Sequence, residues 1–132
     1  MSNTALKYNP EDLLVAVIQE RLDAIEDQAR LLQQHRGAMS RHLLELQTLG
    51  SLAGALSGFL GELDGELCLN TWTALQVRAS RVVSLALEAS QRTLARARLR
   101  GTSPGAFAKV LASAEAVRVL REDLILASLR SG

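Results

Sequence analysis

The chain has 132 residues, of which 48% are hydrophobic and 22% charged, and its net charge is +1. These values fit one folded domain over residues 1–132 and exclude a disordered chain, which would have fewer hydrophobic residues and a larger net charge. The single cysteine, Cys68, excludes an intrachain disulfide. Since no signal-peptide pattern is present and arginine far outnumbers lysine, we expect a cytoplasmic bacterial protein.

Pro10 begins the first predicted helix. Asn9 precedes it as a cap, and proline suits the first helical position because its missing N–H group would have no partner there. Two acidic residues follow, as the positive end of a helix dipole favours. We predict that residues 1–8 are disordered and that the helix covers residues 10–36.

Apolar residues recur every three or four positions along this helix and form one hydrophobic stripe. We predict that the stripe is a core seam or an interface with a partner or a second copy. Its main members are Val15, Ile18, Leu22, Ile25, Ala29 and Leu32. The spacing continues to Leu46 with an interruption at Arg36. At Gly37 the helix either continues, at a cost of about 1 kcal/mol relative to alanine, or ends.

Glycines stand four apart in the second predicted helix, residues 38–66, at Gly50, Gly54 and Gly58. Such spacing puts them on one helix face, where the missing side chains allow another backbone to come close. The uncharged stretch 46–61 is shorter than the roughly 20 residues that cross a bilayer, so we expect internal or dimer packing rather than membrane insertion. We therefore expect leucine at position 54 to be more destabilising than alanine.

Two further helices are predicted, over residues 71–100 and 104–129. Gly101 is suited to end the first, and Ser103 with Pro104 forms a cap-plus-proline start for the second. We expect the last helix to face a core with Phe107, Val110, Leu111, Ala114, Val117, Leu120 and Leu124. Similar helix lengths and short connections predict an all-α antiparallel bundle of about four helices. A long helical hairpin completed by dimerisation is the alternative.

Charge is divided between the two halves of the chain. Residues 1–70 are acidic on balance, whereas residues 71–132 are basic. We expect helices of the two halves to attract each other, within one chain or across a dimer. The alternative is a basic surface that contacts nucleic-acid phosphates. Its residues would be Arg92, Arg96, Arg98 and Arg100.

The sequence gives little sign of a catalytic or metal site. His35 and His42 are one heptad apart and Glu45 is one turn further on, but two histidines about 10 Å apart cannot share one ion. Cys68 lies in an apolar stretch, where we expect an inert, packed thiol. Phosphate-binding glycine motifs are absent. We therefore predict no catalytic residue, no metal and no cofactor.

The hypothesis that fits these features is a non-enzymatic protein–protein interaction module, such as a bacterial adaptor, export chaperone or antagonist. It would bind a helix of a protein partner whose identity the sequence does not give, and it would form a homodimer or larger homo-oligomer. The alternative hypothesis is a nucleic-acid-binding regulator that uses the four arginines near residue 96.

Overall fold

The computed structural model describes residues 10–34, 37–63 and 65–130, and the protein is an all-α four-helix bundle. The helices are α1 (Pro10–Gln34), α2 (Met39–Leu63), α3 (Leu69–Leu99) and α4 (Pro104–Arg130). Every boundary lies within three residues of its predicted position. The expected disorder of residues 1–8 and the expected cap at Asn9 lie outside the described residues.

Helices α1 and α2 are two separate helices. The Ala38 carbonyl accepts the N–H groups of Arg41 and His42, at 3.1 and 3.3 Å, and so begins α2. Gly37 lies just before this turn and is exposed. The alternative of one helix running through Gly37 is therefore wrong, and with it the long hairpin.

Each helix runs antiparallel to the next in the chain, but the bundle also contains two parallel pairs. Arg78 of α3 contacts Asp23 of α1, and Glu88 contacts Gln33 at the same sequence separation, so α1 and α3 are parallel. The α2 and α4 helices are parallel as well and make the most extensive contact. Among the described residues α1 and α4 do not pack on each other. Two antiparallel hairpins, α1–α2 and α3–α4, therefore lie side by side.

The hydrophobic stripe of α1 lies in the core of this single chain. Ile18, Leu22, Ile25 and Leu32 are buried against the other helices, and Val15 is half-buried at the edge of the core. Trp72 of α3 is among the largest buried side chains. Of the two roles predicted for the stripe, the structure supports the core seam, since the four buried residues have no surface left for a partner.

The start of α3 is held by a carboxylate from α1. Glu11 accepts the Cys68 N–H group at 2.7 Å, and the Thr71 hydroxyl also bonds to it. These hydrogen bonds, led by that from the Cys68 backbone, lower the pKa of Glu11. Cys68 itself is exposed, with Sγ 3.1 Å from the Thr71 hydroxyl. The prediction that the Cys68 thiol is packed is therefore wrong, because Cys68 lies at the N-cap of α3 and not in the core.

Candidate functional site

The outer side of α4 carries an exposed apolar surface near the helix C-terminus. It consists of Val119, Ile125, Leu126 and Leu129, and is called the α4 surface below. The last three side chains are 52%, 45% and 76% exposed. They are exposed because apolar residues occur all round α4, and the buried side is already occupied by residues such as Val117, Leu120 and Leu124. Leu111, expected in the core, is also exposed.

Shallow grooves flank the α4 surface on both sides. The groove between α3 and α4 has a volume of about 230 Å³ and includes Val83, Arg121 and Ile125. The groove between α2 and α4 has a volume of about 190 Å³ and is lined by Ser57, Leu60, Gly61, Asp123, Leu126 and Ala127. Ile125 and Leu126 thus form a ridge between two depressions that small apolar side chains could enter.

The glycine row divides into one packed position and two open ones. A Cβ atom on Gly50 would lie 2.7 Å from Cβ and 2.8 Å from Cα of Ser113, so α2 and α4 approach closely there. At Gly54 and Gly58 a Cβ atom would meet nothing within 4 Å. The prediction of close internal packing is confirmed at Gly50 and is wrong at Gly54 and Gly58, because successive positions four apart rotate round the helix by about 40° and leave the contact with α4. A contact of Gly54 and Gly58 with a second copy stays a prediction.

The four arginines near residue 96 do not form one uniform basic stripe. Arg92 lies 3.6 Å from Glu88, and Arg98 lies over the Phe107 ring at 5.4 Å from its centroid. Arg96 and Arg100 have no ion pair among the described residues, and both line a cavity. The structure therefore brings together two of the four arginines predicted to contact an anion.

This cavity lies where α3 ends and α2 begins. Its volume is about 350 Å³, and it is lined by Gly37, Met39, His42, Arg96 and Arg100. His42 is 2% exposed and reaches the cavity from the first turns of α2. The sequence did not predict this grouping, because His42 and the arginines are far apart along the chain.

The opposite charges of the two halves meet within the chain. Arg78 of α3 forms ion pairs with Asp23 and Glu26 of α1, and Arg30 also pairs with Glu26, at 2.9 Å. Hydrogen bonds from Arg30 and Arg78 lower the pKa of Glu26. Part of the charge complementarity therefore stabilises the α1–α3 contact.

Metal-ligating side chains do not converge in the described part of the chain, where no group of three histidines, cysteines or acids lies close enough to hold an ion. His42 and Glu45 are both buried in α2, and His35 lies outside the described residues. Among the described helices only α2 has the length and composition of a membrane span, a test that core helices also pass.

No protein-family model matches the chain, and comparisons with curated proteins and with solved structures gave no significant match.

Proposed function

We propose that this chain is a non-enzymatic protein–protein interaction module that binds an amphipathic helix of a partner along the α4 surface. The observation that supports this proposal most directly is the exposure of Ile125, Leu126 and Leu129 on one helix. Contiguous apolar surface of this kind is typical of a contact site, whereas single exposed leucines are common everywhere. An adaptor, an export chaperone and an antagonist would each use such a surface.

The geometry suits a helix laid against a ridge. Apolar residues three and four positions apart on a partner helix would enter the two grooves beside Ile125 and Leu126. Apolar area removed from water there would contribute about 25 cal/mol per Å². Arg121 and Asp123 lie in opposite grooves, so the ridge has a basic group on one side and an acidic group on the other. This arrangement would fix the direction of the partner helix.

The test is site-specific photocrosslinking in the native host. A benzophenone amino acid placed at position 126 should give a defined crosslinked partner, and the same group at position 44 should not. Leu44 is an exposed leucine near the start of α2 and serves as the matched control, because the α4 surface lies beside the other end of that helix. The double variant Ile125→Glu, Leu126→Glu should lose the partner while Leu44→Glu retains it. Equal crosslinking from both positions, or none from position 126, contradicts the proposal.

Nucleic-acid binding is the second candidate function, because Arg96 and Arg100 are exposed and lack ion pairs among the described residues. It has less support, since Arg92 and Arg98 are engaged by Glu88 and Phe107. Retention on heparin that weakens steeply with salt, and that Arg96→Gln abolishes, would favour it.

A further inference from the structure

We propose that the cavity between the end of α3 and the start of α2 binds the phosphate group of a small phosphorylated molecule. The residues that would hold it are Arg96, Arg100 and His42. This site is separate from the α4 surface and does not depend on the function proposed for that surface.

The two arginines supply the charge. Arg96 and Arg100 are one turn apart on α3 and line the same cavity, and no acid in the described residues neutralises either of them. Along the sequence no acid occurs between Glu88 and Glu115, so the last turns of α3 hold only positive charge. An arginine guanidinium presents paired N–H donors that match phosphate oxygens, and two of them suit a doubly charged group.

The start of α2 adds donors on the other side of the cavity. Gly37 and Met39 line it, and Ala38, which directly precedes α2, has no side-chain oxygen to cap the first amides. The first turn of α2 contains no acidic residue. The positive end of the α2 dipole therefore points toward the same space as the arginines and would favour an anion there.

His42 contributes a polar side chain to the buried part of the cavity wall. Its side chain is buried, so packing of the bundle fixes its place in the cavity wall. Glu45 is also buried one turn later, but it does not line the cavity. A volume of about 350 Å³ is near the lower end for small-molecule pockets, so it admits a phosphate with a short organic group.

The experiment is calorimetric titration of the full chain at constant ionic strength, with inorganic phosphate, glycerol 3-phosphate and a short DNA duplex as probes. We expect both small phosphates to bind, with glycerol 3-phosphate at least as tight. Arg96→Gln and Arg100→Gln should each weaken binding about tenfold or more. Arg92→Gln is the matched control, because Arg92 lies one turn earlier on the same face and is paired with Glu88.

Three results would overturn the proposal. The first is that the parent protein, shown to be folded by its circular dichroism spectrum, binds neither small phosphate at millimolar concentration. The second is an equal loss of affinity from Arg92→Gln, which would indicate a general charge effect. The third is binding of the duplex alone, which would indicate a nucleic-acid surface. Arg96→Lys provides a further check, because it retains the charge but loses the paired donors and should bind more weakly than the parent.

Discussion

Gly50 allows α2 and α4 to approach each other so closely that a side chain at this position would collide with backbone atoms. The Cα atom and carbonyl oxygen of Ser113 lie 2.8 and 3.0 Å from where a Cβ atom would be. Because these are backbone atoms, they cannot move without shifting α4.

Gly50→Ala should therefore destabilise the protein by about 1–3 kcal/mol through overpacking. Gly54→Ala should instead stabilise it by about 0.5–1 kcal/mol, because alanine is the better helix former and a Cβ atom there meets open space. Urea unfolding of the two variants measures the difference. The close contact would be refuted by a Gly50→Ala variant as stable as the parent.

Glu11 makes the junction between α1 and α3 sensitive to acid. Its pKa is lowered in the folded chain, so its contribution is complete above the pKa of the unfolded chain and disappears as the pH falls through the folded value. Glu11→Gln should be less stable than the parent at neutral pH, and the difference should vanish in acid.

Melting temperatures recorded from neutral pH into acid measure this effect. Glu20→Gln, on an exposed position of the same helix, is the control. A constant difference between Glu11→Gln and the parent across the pH range would contradict the capping role.

Local sequence signals predicted some of these residue-level features and missed others. Glycine spacing correctly marked a close helix contact at Gly50, but it could not show that Gly54 and Gly58 are open. That distinction depends on where α4 lies. In the same way, the apolar neighbours of Cys68 did not reveal its exposure, because the end of a helix is set by the path of the chain.

Helix α3 is tied to α1 by an ion-pair cluster around Arg78. Its guanidinium contacts Asp23 and Glu26, and the Arg78 side chain is 28% exposed. The hydrogen bonds that Arg78 donates to Asp23 and, second, to Glu26 raise the pKa of Arg78, so the arginine remains charged. No loop joins α1 directly to α3, since α2 lies between them in the chain, and such contacts therefore help to fix the α1–α3 pairing.

Arg78→Met should lower the melting temperature, and the loss should shrink as salt screens the pairs in the parent. Arg81→Met is the matched control, because Arg81 is exposed and has no ion pair among the described residues. The cluster would have no role in the α1–α3 pairing if both variants melted at the parent temperature in low salt.

The limits of the helices could be predicted because they depend on nearby residues. Pro104 begins α4, and Gly101, with φ of 67°, adopts the left-handed conformation that ends α3. The pairing of the helices could not be predicted in this way. Hydrophobic stripes show which face is buried, but they do not show that α2 lies beside α4 or that α1 and α4 are apart.

At the scale of the whole molecule, two sequence features that favour a dimer, the α1 stripe and the opposite charges of the two halves, are accounted for within one chain. The α1 stripe is buried within one chain, and Arg78 uses acidic groups of the same chain. The exposed α4 surface provides another basis for expecting self-association. The sequence does not reveal this surface, because apolar residues occur all round α4 and their spacing does not show which of them remain exposed.

Dimerisation stays a prediction, now placed on the α4 surface. A second copy related by a twofold axis would cover Ile125, Leu126 and Leu129 with the same residues, which removes their exposed apolar area from water. Light scattering at micromolar concentration should give twice the chain mass of 14.3 kDa. The double variant Ile125→Glu, Leu126→Glu should give the monomer mass, because it would bring like charges together.

Leu44→Glu controls for charge added at an exposed leucine elsewhere and should remain dimeric. A parent mass of 14.3 kDa would exclude the dimer and leave the α4 surface open for a different protein. If the parent is dimeric, a partner helix must displace the second copy, since both would occupy the same ridge. Dilution below the dimer dissociation constant should then increase the apparent affinity for the partner, because more of the chain is in the binding-competent state.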